Sequence, residues 1–257
     1  MDKRIGAQYY TIRDFCKTIE DFDASCKRIR EIGYKAVQLS GIPNFDPHAI
    51  REILDKHDLT PFCTHRTWSD YLENLDSEIE FHKVVGCDIA GLGALPGAFS
   101  EGGMEPAALE KFAKDATVVA NKLAEHGITF GYHNHAFEFR KFDGKFAFDI
   151  LTESVKSDNF KYILDTYWLA YAGINPAKFI LERKGQVVCV HLKDLKIVGN
   201  DPRYAEVGSG NIEWDEVLPA CEEAGVKYAL VEQDECDCNP FDALTTSYNY
   251  LTTKGFN

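Results

Sequence analysis

Eight short apolar runs recur along the chain, separated by longer stretches in which apolar residues return every three or four positions. The runs are Ile5–Tyr9, Ala36–Leu39, Pro61–Cys63, Ile89–Leu92, Ile128–Tyr132, Tyr162–Leu164, Val187–Val190 and Tyr228–Val231. Each is about as long as a buried strand, and the β-branched and aromatic content favours strand over a fragment of helix. Between them, Asp21–Ile32 carries Phe22, Cys26, Ile29 and Ile32 at helical spacing and stops at Gly33. Pro47–His57 opens on proline, Pro106–Glu125 is long and rich in Ala, Lys and Glu, and Trp214–Ala224 runs into Gly225. An apolar stripe followed by glycine predicts a helix packed on a sheet and ended by a left-handed cap.

Strand–helix alternation repeated eight times predicts a parallel sheet of the α/β class. At about thirty residues per unit, the pattern fits a closed (β/α)8 TIM barrel occupying residues 1–257 as one domain. A doubly wound sheet would place a glycine-rich phosphate turn after its first strand, and Tyr10-Thr-Ile-Arg-Asp14 contains no glycine.

Composition narrows the partners. A chain of 257 residues with a formal charge of −13 and no Lys/Arg run is a poor match for nucleic acid or an anionic membrane, which need a basic face. No segment approaches the roughly 20 apolar residues that cross a bilayer, and the opening MDKRIGAQYY lacks the apolar stretch of a signal peptide. Eight cysteines are too sparse for a disulfide scaffold, and Cys63, Cys87 and Cys189 sit in apolar runs as small hydrophobes. Cys236-Asp-Cys238 lacks the second half that a four-ligand zinc site needs. A reduced, cytoplasmic protein acting on a small molecule is expected, with assembly into a homo-oligomer allowed.

Barrel chemistry sits where strands end and the next loops begin. The first run leads to Gln8, Tyr9 and Arg13, and the third to His65 and Arg66. The fifth leads to His133, His135 and Glu138, and the sixth to Asp165 and Trp168. The seventh leads to His191, Lys193 and Asp194, and the eighth to Glu232, Asp234 and Glu235. One polar residue after a strand usually just starts a solvated loop. Four successive strands ending in carboxylate or imidazole are different, because in a barrel those ends face one another, and such donors suit Mn²⁺, Mg²⁺, Co²⁺ or Zn²⁺. His191 and Lys193, two apart, share a face if the strand runs that far. Lys193 then either stabilises a developing anion or pairs with Asp194. Trp168 either offers a flat face to a sugar ring or packs under its loop. Arg13 either meets an anionic group of the substrate or forms a surface ion pair. The stretches 93–104 and 196–207 are expected as substrate-selecting loops.

Six stretches, in this order, resemble the xylose-isomerase-like sugar-phosphate isomerase/epimerase barrels: Gln8–Asp14, Gly131–Phe139, Leu164–Trp168, Val190–Asp194, Val207–Asn211 and Val231–Asp234. The most specific are His133-Asn-His-Ala-Phe-Glu-Phe139 and His191-Leu-Lys-Asp194. The resemblance implies a divalent metal held by a carboxylate after the fifth strand, then by Asp165, His191 and Glu232. For the first ligand Glu138 keeps a carboxylate in place, with His135 the alternative and His133 also within reach. It further implies proton abstraction alpha to the carbonyl of a sugar, keto-sugar or sugar phosphate, with Glu138 or Glu232 as base and Lys193 assisting. His65, His135, Trp168 and Arg13 are the candidates for substrate contact. The same site would serve a dehydratase or lyase acting on a keto-sugar or inosose, and a sugar-binding barrel without turnover is the third reading. A nuclease resembling endonuclease IV fits poorly with the acidic charge.

Overall fold

The computed structural model describes residues 1–99 and 105–257. Eight strands form one sheet: β1 (Gly6–Gln8), β2 (Ala36–Leu39), β3 (Thr60–Thr64), β4 (Ile89–Leu92), β5 (Thr129–His133), β6 (Phe160–Asp165), β7 (Val187–Leu192) and β8 (Tyr228–Val231). All pair in parallel, in the order β3-β2-β1-β8-β7-β6-β5-β4. The two ends of that order meet where the Arg66 N–H donates to the Gly91 carbonyl at 2.9 Å, beside a parallel bridge between Arg66 and Leu92. The sheet is thus a nearly closed TIM barrel, and every apolar run supplies one of its strands.

Helices cover the outside. Ile19–Ile32, Pro47–Lys56, Pro106–Ala124 and Trp214–Ala224 lie where the apolar stripes predict them. The first begins on a capping box, with Thr18 and Asp21 each accepting from the other's backbone N–H at 3.1 Å. The last ends at Gly225 with φ 78°, in the left-handed region that an L side chain resists. Between β7 and β8 a hairpin of Asp194–Val198 and Asp201–Ala205 occupies most of the stretch expected to be a loop.

Inside the barrel, Ala36, Phe62, Cys63, Ile89, Ile163, Cys189 and Leu230 form a compact apolar plug. Side chains two apart on a strand share a face, so the residues two beyond this plug also point inward, one layer up. Register shifts in β3 and β7 accommodate Phe62 and Val188 as extra residues, and leave Cys63 and Cys189 in phase with that layer. Glycine opens the crowded places. A Cβ on Gly131 would lie 2.7 Å from Ile163 Cδ1, and one on Gly91 would lie 2.0 Å from the Thr64 carbonyl at the seam.

All eight cysteines are unpaired. No helix among the described residues is long and apolar enough to cross a membrane.

Candidate metal centre and substrate cavity

The layer above the plug gathers the ends of β5 to β8. His133 lies two beyond Gly131, Asp165 two beyond Ile163, His191 two beyond Cys189, and Glu232 two beyond Leu230. Strand alternation therefore aims all four at the axis, and each offers a ligand atom within 4.8 Å of the others. All four residues are buried. His133 Nε2 is 3.4 Å from Asp165 Oδ2, and His191 Nδ1 is 4.0 Å from that oxygen and 2.8 Å from Glu232 Oε2.

Each member of the quartet satisfies one polar atom and leaves the other free. His133 Nδ1 is 2.9 Å from the Gly93 carbonyl, and His191 Nε2 is 2.7 Å from Gln38 Oε1. Both acceptors require an N–H, so the remaining nitrogen of each ring carries a lone pair when the ring is neutral. Glu232 Oε1 accepts from Gln8 Nε2 at 2.9 Å, and Asp165 Oδ1 accepts from the Trp168 N–H at 3.0 Å. The atoms left over are His133 Nε2, Asp165 Oδ2, His191 Nδ1 and Glu232 Oε2, all buried without a hydrogen-bond partner. Four converging buried acceptors repel one another, whereas a divalent cation satisfies all four at once. The donor set, two imidazoles and two carboxylates, fits such an ion.

Asp165, His191 and Glu232 thus stand together, and Glu138 does not. It sits on the short turn Phe137–Phe139, with Oε1 accepting from the Tyr132 hydroxyl at 2.7 Å and Oε2 from the His135 N–H at 2.8 Å. Tyr132 is on the outward face of β5, packed against Phe112 and Phe160, so Glu138 lies behind the strand and both its oxygens are used. Glu138, expected as ligand and base, therefore lies apart from the quartet, and His133 takes the fifth-strand place among the four facing side chains. Burial pushes the Glu138 carboxyl up to about 7, against the lowering effect of the Tyr132 hydroxyl. His135 also stays outside the quartet, its ring stacked on Phe137 and 5.1 Å from that of Trp168.

Lys193 shares the inward face with His191, completely buried. Its ammonium lies 2.6 Å from Asp234 Oδ1, 3.4 Å from Asp165 Oδ2 and 3.5 Å from Glu232 Oε2. Burial favours the neutral amine, but Asp165, Glu232 and Asp234 outweigh it and raise the pKa, so the charge is retained. Glu232 responds in kind: burial pushes it up, yet Lys193 and His191 hold it well below the usual carboxylate range. Asp194 is not the partner of Lys193. Its carboxylate accepts from the N–H groups of Leu195, Gly208, Gly210 and Ile212 and from the Trp214 indole, tying down the loop after the hairpin.

Above the quartet opens a cavity of about 770 Å³, to which His65, His133, His135, Trp168, Lys193, Tyr204, Glu232 and Asp234 all contribute. Burial drives both wall imidazoles toward the neutral form, His65 well below its usual value and His135 down to about 2. Arg13 does not line the cavity. It donates to the carbonyls of Tyr10 and Asp234 at 2.7 and 3.0 Å and stacks over the Tyr10 ring, bracing the rim instead of presenting charge to a ligand. Of the stretch 93–104, residues 100–104 lie outside the described residues. Gln8 and Gln38 carry no role in the sequence reading. Their signal was there, since a glutamine inside a buried strand such as Ala36-Val-Gln-Leu39 must find a partner.

Comparison with known proteins agrees with this architecture. The family model for the xylose isomerase-like TIM barrel matches residues 26–251. The chain belongs to that family. Among solved structures, this xylose isomerase-like barrel is similar to a sugar phosphate isomerase/epimerase from Parabacteroides distasonis, with 19% identity, a TM-score of 0.78 and coverage of 97% of this chain and 93% of that one. It is also similar to an L-ribulose 3-epimerase, at 13% identity and TM-score 0.78, covering 98% and 94% of the two chains. A third neighbour is a probable 3-DHS dehydratase of petrobactin synthesis from Bacillus anthracis, at 12% identity and TM-score 0.73, covering 98% and 99%. Identities this low speak for the fold of the xylose isomerase-like chain alone. No protein of curated function matches it.

Proposed function

We propose that the protein is a divalent-metal-dependent isomerase or epimerase that removes the proton alpha to the carbonyl of a sugar, forming an enediolate. The observation that carries this reading is the set of four buried, mutually facing acceptor atoms beneath a cavity of about 770 Å³. An ion held by His133, Asp165, His191 and Glu232 would supply Lewis-acid stabilisation of negative charge on the substrate's oxygens.

The rest falls to the chain's own groups. Glu232, ionised and open to the cavity, accepts the proton, and Gln8 fixes the carboxylate by donating to its Oε1. Lys193 keeps its charge and stands 3.5 Å from Glu232, where its ammonium opposes the anion as it develops. His65, His135 and Trp168 bind the hydroxyl-bearing carbons. Return of the proton to the opposite face yields an epimer, and return to the neighbouring carbon yields an isomer. Where the carbanion carries a β-leaving group, the same residues would give elimination. The eight unpaired thiols, six of them buried, support a reducing cytoplasm as its location.

The test is solvent deuterium incorporation into a panel of keto-sugars and inososes by metal-loaded protein. Exchange that disappears on chelation, and falls by at least 10³-fold in Glu232→Gln, is the expected outcome, in line with the loss of an acid–base group together with a ligand. Undiminished exchange in chelated protein would overturn the metal reading, and turnover without any exchange would overturn proton abstraction.

A further inference from the structure

We infer that the centre selects an ion that favours nitrogen donors, Zn²⁺, Co²⁺ or Fe²⁺, over Mg²⁺ and Ca²⁺, and that His133 makes the difference. This rests on the metal reading above. The resemblance implied a carboxylate at the end of the fifth strand, which with Asp165, His191 and Glu232 would give three carboxylates and one imidazole. The fold puts the His133 imidazole in that place instead. The four facing atoms are then two ring nitrogens, His133 Nε2 and His191 Nδ1, and two carboxylate oxygens, Asp165 Oδ2 and Glu232 Oε2. Imidazole suits zinc, iron and the later first-row ions, whereas carboxylate, carbonyl and water oxygens suit magnesium, calcium and manganese.

The surroundings keep the oxygen supply low. Asp165 Oδ1 accepts from the Trp168 N–H at 3.0 Å, and Glu232 Oε1 from Gln8 Nε2 at 2.9 Å. Each carboxylate therefore has one oxygen to offer, and binding through both would break a buried hydrogen bond. Neighbouring carboxylates are committed elsewhere, Glu138 to the Tyr132 hydroxyl and the His135 N–H, and Asp234 to the Lys193 ammonium at 2.6 Å. Calcium takes about six to eight oxygen ligands, and magnesium fills its shell with oxygen and gives up water reluctantly. The nitrogens, by contrast, are set for an ion, since the Gly93 carbonyl and the Gln38 side chain hold the opposite atom of each ring. Lys193 adds to the bias. Its ammonium lies 3.4 Å from Asp165 Oδ2 and 3.5 Å from Glu232 Oε2, and it competes with any divalent ion for those two oxygens. An ion bound to the chain through oxygen alone loses most by that competition, and one that also takes two nitrogens loses least.

The experiment titrates chelated protein with Zn²⁺, Co²⁺ and Mg²⁺ against a chromogenic chelator, so affinities are read without turnover. The wild type is expected to hold Co²⁺ on the order of 10³-fold or more tighter than Mg²⁺. His133→Glu, with an unchanged circular dichroism spectrum, is expected to narrow that ratio by about tenfold or more, weakening Co²⁺ and strengthening Mg²⁺. Pulsed EPR of the Cu²⁺-loaded wild type reads the ligands with no substitution at all, and is expected to show two coordinated imidazoles. A smaller Co²⁺/Mg²⁺ ratio in the wild type, a ratio unmoved by His133→Glu, or a single imidazole on Cu²⁺ overturns the inference. Tight Mg²⁺ binding of that kind leaves the metal-dependent reading standing, whereas failure of every ion to bind overturns both.

Discussion

His133 and His191 each spend one ring nitrogen on a fixed neutral acceptor, the Gly93 carbonyl and the Gln38 side chain, and so turn the other toward the centre, where it carries a lone pair when the ring is neutral. Glu232 and Asp165 divide their oxygens in the same way, between Gln8 or a backbone N–H and the centre of the barrel. The orientation of all four ligand candidates is therefore set before any ion arrives. Glu138 has the opposite character, with both oxygens committed to Tyr132 and His135. Its carboxyl is raised from an ordinary 4.5 to about 7 by burial. The folded protein then keeps this proton while the unfolded chain loses it, so the stabilisation is complete below about 4.5 and is lost as pH climbs through 7. A shift of that size corresponds to at most about 3 kcal/mol. Urea unfolding of chelated protein between pH 4.5 and 7 should show stability falling with pH more steeply in the wild type than in Glu138→Gln. Parallel curves would show that Glu138 does not hold a proton in the fold.

At the scale of single elements, the strand ends are held by side chains that never reach the cavity. Asp194 follows Lys193 directly, but it is turned into the loop after the hairpin, where it collects four backbone N–H groups and the Trp214 indole. Gly210 is required there, since a Cβ at that position would lie 2.3 Å from Asp194 Oδ1. Removing the carboxylate leaves several buried donors unpaired at once, each costing on the order of 1 kcal/mol or more. Asp194→Ala should lose about 4 kcal/mol in denaturant unfolding, within the range for breaking a buried network. A loss under about 1 kcal/mol would mean that the donors find other partners. In the sequence, Val207-Gly-Ser-Gly-Asn211 was visible as a motif but not as the partner of Asp194, because the contact joins residues that hairpin formation alone brings together.

For the molecule as a whole, acceptor atoms of His133, Asp165, His191 and Glu232 that lack hydrogen-bond partners meet in one buried place, and an ion bound there binds the folded state only. At a free metal concentration of 100 times Kd, such linkage adds about 2.7 kcal/mol. For a chain of 257 residues that corresponds to roughly 5–10 °C in Tm. Addition of Mn²⁺ or Co²⁺ to chelated protein should raise Tm by this amount, and the rise should vanish in His191→Ala. An unchanged Tm with every divalent ion would count against the metal centre.

The barrel was legible along the chain because strand–helix alternation, apolar runs and glycine stops are local properties with fixed periods. So were Asp165, His191 and Glu232, since each stands at or next to the end of an apolar run, where alternation leaves little choice of direction. The fifth-strand position was decided only by tertiary structure. His133, His135 and Glu138 all fall within six residues after Tyr132, and carboxylate chemistry favours Glu138. Packing reverses that preference: Gly131 and His133 share the inward face, while the Tyr132 hydroxyl draws Glu138 behind the sheet. Lys193 followed the same rule. Its place inside the ring, and not beside Asp194, depends on β7 remaining a strand through Leu192 and on three carboxylates arriving from β6, β8 and the loop beyond β8. Local periodicity determines which way a strand residue points, but which distant groups it meets is a property of barrel closure.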